Sequence, residues 1–253
     1  MIYLVVAIIS LLLGSFFNVC IHRLYSGESI VYPPSHCPSC KHSLGPLDLV
    51  PVFSYLALMG KCRYCGERIS PRYPVVELLT SISYILLYKV IGLGWGFAAY
   101  SIFLGILIII TFIDLEHQII PNILIVIGLV MGLLFSLINI TTGITDALLG
   151  FALGFGSLLL VALLAKLLLR KDGMGGGDIK LLGVIGLFLG WKLTLLTLLL
   201  SIYIGGIFSI ILLLLRIKKK GDYIPFGPFI SLAGFIALLW GKNIIQWYVG
   251  VSF

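Results

Sequence analysis

Eight apolar runs dominate this chain, at Ile2–Ile21, Val75–Ile91, Trp95–Ile113, Ile120–Ile138, Thr145–Leu169, Ile179–Leu189, Leu193–Leu215 and Phe229–Val249. A bilayer core needs about 20 apolar residues per crossing helix. Backbone polar groups in lipid must be satisfied within a helix or a closed barrel. Leu/Ile runs this long are not barrel strands, so the spans are expected to be helical. The composition agrees: 60% of the 253 residues are apolar and 11% charged, with a mean hydropathy of +1.16. One aqueous core cannot hide that excess, which excludes a soluble globular domain, and a chain this apolar is not disordered. The expectation is an all-α polytopic membrane protein with about eight transmembrane helices. The first run has no basic n-region and no small-residue cleavage site, so it is read as a span and not as a cleaved signal peptide. The sixth run is short, which leaves seven spans as the competing count.

The net charge of +7 is a matter of topology before it is a matter of partners. With eight spans, fourteen of the 17 basic residues fall on one side: Arg23, Lys41, Lys61, Arg63, Arg68 and Arg72; Lys166, Arg170, Lys171 and Lys180; and Arg216, Lys218, Lys219 and Lys220. Lys89, Lys192 and Lys242 take the other. The positive-inside rule makes the rich side cytoplasmic and points both termini outward. Seven spans would break this bias. Nothing here calls for nucleic acid, although anionic lipid or an acidic peptide suits a basic face. The one sizeable polar segment, 22–74, is a cytoplasmic insert between the first two spans. Internal repeats, low-complexity tracts and linkers are not evident.

The insert carries Cys37-Pro-Ser-Cys40 and Cys62-Arg-Tyr-Cys65, with 21 residues between the pairs. Each C-x2-C aims two thiolates at one point, and two such turns make a tetrahedral S4 cage suited to Zn. Cytoplasmic thiols stay reduced, so a structural metal is expected rather than a disulfide. A closed S4 site leaves no open position for catalysis; its role would be to fold an insert too small for its own core. Two unrelated reduced turns are the simpler alternative. Cys20, at the end of the first span, reads as a buried apolar residue. His36 and His42 read as solvated loop residues.

Carboxylates at membrane depth are expensive and point to function. Asp114 follows a long apolar run and ends an outside-to-inside span; a plain helix-end carboxylate in the headgroup zone is its other reading. Asp178 closes Gly173-Met174-Gly175-Gly176-Gly177-Asp178 and begins an inside-to-outside span; an N-cap is its other reading. A phosphate cradle is a third, but neither G-x-G-x-x-G nor G-x4-G-K-[ST] is present. Two carboxylates at one depth suffice for aspartyl proteolysis: one ionised to activate water, one protonated to polarise the scissile carbonyl. Glu77 opens the second span, after Pro71-Arg72-Tyr73-Pro74, as either a functional or an interfacial helix-start carboxylate. Asp146 and Asp222 read as loop or cap residues. Pro225-Phe226-Gly227-Pro228 is a rigid turn that either lines a site or simply starts the last helix. There is no H-E-x-x-H and no G-x-S-x-G, which removes the zinc-metalloprotease and serine-elbow alternatives.

Taken in order, these motifs resemble the bacterial type IV prepilin leader peptidases, bifunctional peptidase and N-methyltransferase enzymes of the GxGD aspartyl class. The resemblance covers nearly the whole chain. It runs through Gly14-Ser15-Phe16-Phe17-Asn18-Val19 with Arg23-Leu24, Pro33-Pro34-Ser35-His36-Cys37-Pro38-Ser39-Cys40, and Cys62-Arg63-Tyr64-Cys65 with Ile69-Ser70-Pro71-Arg72-Tyr73-Pro74 and Glu77. It continues with Asp114, Pro121-Asn122, Gly173 to Leu181 and Pro225 to Pro228. Asn122 stands where many members have Asp, which does not touch the pair of aspartates. The resemblance implies a multi-pass enzyme of the bacterial inner membrane, with the 22–74 insert and active site facing the cytoplasm. It implies cleavage of the basic leader from prepilins or pseudopilins by Asp114 and Asp178, then methylation of the new N-terminus with S-adenosylmethionine. It also implies metal binding by Cys37, Cys40, Cys62 and Cys65. Glu77 and the insert are where cofactor binding is expected. The domain reading is one membrane domain, 1–253, with the insert at 22–74 and a catalytic transmembrane bundle at 75–253. An ion- or proton-coupled transporter, a non-catalytic zinc-bearing scaffold and a peptidase without methylation are the rival functions.

Overall fold

The structure, a computed structural model, describes residues 1–169, 175–219 and 223–251. Arg170, Lys171, Asp172, Gly173, Met174, Lys220 and Asp222, all weighed above, lie outside the described residues. The described chain is helical, with no strand beyond two isolated antiparallel bridges, His36 with Ser43 and Lys61 with Arg68. Its residues divide into two compact units, Met1–Leu93 and Gly94–Phe253.

In the first unit α1 (Ile2–Ser26) packs on α3 (Arg72–Ile91), and the short α2 (Phe53–Ala57) lies in the polar segment joining them. Small residues bring the two long helices together. Val6, Ser10, Gly14 and Asn18 form a buried stripe at helical spacing on α1. At Gly14 a Cβ would lie 2.7 Å from the Glu77 Cα, so only glycine permits the approach. Cys20 is buried on the same helix, as its apolar reading implies.

In the second unit α4 (Trp95–His117), α5 (Asn122–Leu137), α6 (Ile144–Leu169), α7 (Gly176–Leu214) and α8 (Gly227–Val251) follow one another. The centre is made of α4 from Phe103 to Ile110 and α7 from Leu181 to Gly190, each buried all round. Phe103 stacks on Phe188 with centroids 4.7 Å apart. The outward faces are apolar too: Leu199 and Leu163 are more than half exposed, as lipid-facing residues should be.

A straight helix of 39 residues would be about 58 Å long, nearly twice a bilayer core. α7 is not straight. Gly190 has φ 75 and ψ 173, a region open essentially to glycine alone. A Cβ at Gly154 would lie 2.9 Å from the Leu182 carbonyl carbon and 3.1 Å from Thr194 Cγ2. In a continuous helix residues 182 and 194 would be about 18 Å apart. The chain therefore folds back at Gly190, and both arms run along α6. Among the described residues six helices are long and apolar enough to cross a membrane, and α5 is a shorter apolar one. Counting the two arms of α7 separately gives the eight apolar segments expected from the sequence, with the sixth retained. Hydroxyls inside them, such as Thr194 and Thr80, bond the carbonyl four residues back (both 2.7 Å) and leave no exposed polar cost.

Candidate active site and metal centre

In the second unit, α4 continues one turn past its apolar run and carries Asp114 inside its last turn, with Asp114 3% exposed. The helix ends at Gln118, whose left-handed backbone returns its N–H to the Asp114 carbonyl. Asp178 is 5% exposed and is the third residue of α7. It is not the N-cap considered above. Gly175 holds that position, with no side-chain cap, and the Asp178 side chain is left for other work.

Short contacts bring both helix ends to one place. The Gly227 N–H at the start of α8 donates to Asp114 Oδ2 at 3.1 Å, and a Cβ on Gly227 would sit 2.6 Å from that oxygen. Ile120, in the α4–α5 turn, lies against both Gly177 and Gly227. The Pro225–Pro228 turn thus lines the aspartates and does more than start a helix. Tyr223, in the segment before α8, has its phenol pushed above its ordinary value by burial first, then by the negative charges of Asp178 and Asp114. A Cβ at Gly175 would lie 3.3 Å from Asp178 Oδ2 and 3.8 Å from the Tyr223 hydroxyl, so the phenol sits close to Asp178. Lys180 donates to Asn122 Oδ1 at 2.9 Å, which ties the start of α5 to the start of α7. Tyr223 had no sequence signal, because an aromatic residue in a polar loop is common.

The cysteine insert is built twice. Cys37 N–H bonds His42 O, and Lys41 N–H bonds Cys37 O; Cys62 N–H bonds Glu67 O, and Gly66 N–H bonds Cys62 O. The flanking bonds, Leu44 to Ser35 and Ile69 to Gly60, and the two bridges repeat in the same way. Every partner in the second half lies 25 positions after its counterpart, as Cys62 does after Cys37. The expectation of no internal repeat is therefore corrected: a ten-residue knuckle recurs. The sequence hides the repeat because hydrogen-bond pattern and thiol spacing are kept while the other side chains are not.

The four thiols lie within 4.8 Å of one another, with Cys37 and Cys65 sulfurs 3.8 Å apart. A tetrahedral metal with bonds of about 2.3 Å requires S···S edges of about 3.8 Å, so the cage fits a thiolate-bound ion. The Cys40 N–H, with smaller contributions from its neighbours, lowers the Cys37 thiol to about 6. His36 and His42 stay out of the cage: His36 Nδ1 meets Pro34 O at 3.1 Å, and His42 stacks on Tyr64 at 3.6 Å. Between the knuckles Asp48 accepts from Arg63 Nε (2.6 Å), Tyr64 OH (3.0 Å) and Gly45 N–H (3.1 Å), tying the second C-x2-C to the linker. Burial alone would raise the Asp48 carboxyl, but these donors hold it below the ordinary carboxylate value.

Glu77 lies in the second turn of α3, 6% exposed, and its Oε2 accepts the Val52 N–H at 2.8 Å. It is thus buried against the insert and not at a solvated interface.

Family models match along the same division. The bacterial peptidase A24 N-terminal domain covers residues 8–91, and the type IV leader peptidase family covers 101–210. This chain belongs to the type IV leader peptidase family. Among its relatives, a prepilin leader peptidase/N-methyltransferase of Aeromonas salmonicida (strain A449) is 38% identical over 96% of this chain and 92% of its own length. A protein of the same name from Pseudomonas aeruginosa is 38% identical over 96% and 91%. The Bacillus subtilis (strain 168) relative of that name is 34% identical over 97% of each chain. No solved structure matches.

Proposed function

We propose that this chain is an aspartic endopeptidase of the bacterial inner membrane. It removes the basic leader from type IV prepilins or pseudopilins and then methylates the new N-terminus. The peptidase reading is supported by two buried carboxylates at helix ends, Asp114 and Asp178, with Gly227 N–H on Asp114 Oδ2 and Ile120 beside both Gly177 and Gly227. The Gly227 N–H favours negative charge on Asp114 Oδ2, and the pair shares one proton among its oxygens. One aspartate takes a proton from water while the other gives one to the scissile carbonyl. The tetrahedral adduct then collapses, the C–N bond breaks, and the leaving amine takes the proton. The substrate's apolar helix stays in lipid while its cut site reaches the aspartates. Both lie at helix ends and not at the bilayer midplane, which favours proteolysis over the proton-relay reading.

The cytoplasmic face is assigned by the fourteen basic residues on one side of an eight-segment chain. Zn is the metal assigned to the Cys37, Cys40, Cys62 and Cys65 cage, where it would fold the insert. S-adenosylmethionine, when bound, would supply the methyl group for the new N-terminal amine, and Glu77 with the 22–74 insert would hold it.

The test is coexpression with a prepilin and mass spectrometry of the product. Asp114→Asn and Asp178→Asn are each expected to insert normally and to lower cleavage at least about a thousandfold. Cleavage at the wild-type rate by either variant would remove the dyad from the mechanism.

A further inference from the structure

The segment joining α1 to α3 is polar at its ends and apolar at its middle. Residues 46–59 hold a single charged side chain, Asp48, and it is turned inward onto Arg63 and Tyr64. The apolar side chains of this stretch do the opposite and face outward. Phe53 is 67% exposed, Leu56 64% and Met59 87%. Phe53 and Leu56, three residues apart, share one face of α2, and Met59 follows in the turn after it. Large apolar side chains grouped in the open mark a surface that meets something apolar.

Glu77 fixes the level at which that surface lies. It accepts the N–H of Val52, the residue just before α2, from its place in the second turn of α3. Its Cα is about 8 Å along the helix from that of Arg72. On the next turn Leu78, Leu79 and Ile82 are exposed apolar residues of the span, and they meet lipid. α2 is thereby tied to α3 where the span enters the bilayer, and its open face lies where the lipid-facing surface begins. Charge follows at once. Past α2 a cavity of about 540 Å³ is lined by Tyr55, Met59, Lys61, Arg68 and Ser70, and no acidic residue is among the described residues that line it. Lys61 and Arg68 oppose each other across an antiparallel bridge, and both are exposed. Neither is in an ion pair among the described residues.

We propose that α2 and the turn after it are a lipid-binding foot of the insert. Phe53, Leu56 and Met59 enter the acyl boundary of the leaflet at that end of α1 and α3, and Lys61 with Arg68 take the phosphate of an anionic phospholipid. An apolar face beside cations is the pattern of an element that lies in a membrane interface. Lipid is already present at this depth, and it accounts for the cations as well as for the open apolar face. That the leaflet is the cytoplasmic one rests on the orientation assigned above; the foot itself does not.

Full-length protein holding its zinc is placed in phosphatidylcholine nanodiscs that contain a trace of phosphatidylglycerol or of phosphatidylcholine with a photoactivatable acyl chain. After illumination the labelled peptides are mapped by mass spectrometry. Label is expected on peptides within residues 47–61 as well as on the spans, and more from phosphatidylglycerol than from phosphatidylcholine. Phe53→Ser with Leu56→Ser is expected to lower the label there at least about threefold, with label on α3 and zinc content unchanged. Lys61→Gln with Arg68→Gln is expected to lower the preference for phosphatidylglycerol at least about fivefold. If the serine variant loses zinc, the wild-type map decides by itself. Wild-type protein without lipid label in residues 47–61, or crosslinked there to a second copy of the chain instead, overturns the foot. Equal label from the two phospholipids overturns the role given to Lys61 and Arg68.

Discussion

Asp114 is held by a main-chain donor, and the residue that supplies it has no room to be anything but glycine. A methyl on Gly227 would start 2.6 Å from Oδ2 and must push the carboxylate or the α8 start aside. Displacements near 1 Å cost about a hundredfold in such chemistry. Gly227→Ala is therefore expected to lower prepilin cleavage about a hundredfold in a coexpression assay while the protein still inserts; undiminished cleavage would show that the contact is dispensable. Asp48 works at the metal centre through Arg63 and Tyr64. Asp48→Asn is expected to speed zinc loss to a chelator several-fold at pH 7. Because the folded carboxyl lies below its ordinary 3.8, the clamp is complete above that value and fails only as pH falls through the lowered one. The ratio between variant and wild-type release rates should therefore be the same at pH 6 and pH 8. Asp114, Asp178 and the cysteines were legible because a charge at membrane depth and closely paired thiols are rare outside catalysis and metal binding. Asp48 and Tyr223 were not legible as site residues, because single polar or aromatic residues have many uses and only their contacts distinguish them.

At the scale of elements, hydropathy located the apolar segments well, since lipid imposes one solvent on every outward face. Helix ends were less legible: α1 continues to Ser26 and α4 to His117, beyond their apolar runs. Intrahelical hydrogen bonds do not stop where hydropathy does. The reversal in α7 shows what pattern alone leaves open, because a glycine inside an apolar run can be straight helix or a turn. Gly190 takes a backbone conformation that a side chain strains at about 1–3 kcal/mol. Gly190→Ala is expected to lower the midpoint of thermal unfolding in detergent and to expose the α7 turn to protease. A variant as stable and as resistant as wild type would mean that the turn does not depend on this glycine.

For the whole molecule, the division between Leu93 and Gly94 separates the thiol cage, with Glu77, from the aspartates. Residues 75–91, grouped by sequence with the catalytic bundle, contribute α3 to the first unit through its packing on α1. If methyl transfer belongs to the first unit and cleavage to the second, removing zinc should separate them. Stripping the metal with a chelator, or making Cys37→Ser with Cys62→Ser, is expected to reduce N-methylation at least tenfold more than cleavage, read from the mass of the pilin N-terminus. Equal loss of both would argue against that division of labour.

The sequence by itself determined the solvent, the helical class, the number of apolar segments, the four thiols that could hold a metal and the two acids worth suspecting. Each follows from local chemistry: transfer from water to lipid, the cost of a charge in it, the spacing of thiols. Only the tertiary structure decided that α7 doubles back at Gly190, that the knuckle is repeated, that Gly227 reaches Asp114 and that Glu77 holds Val52. Those depend on which backbones approach one another across long stretches of chain, and the sum of many weak packing contacts that selects such approaches leaves no motif at any one position.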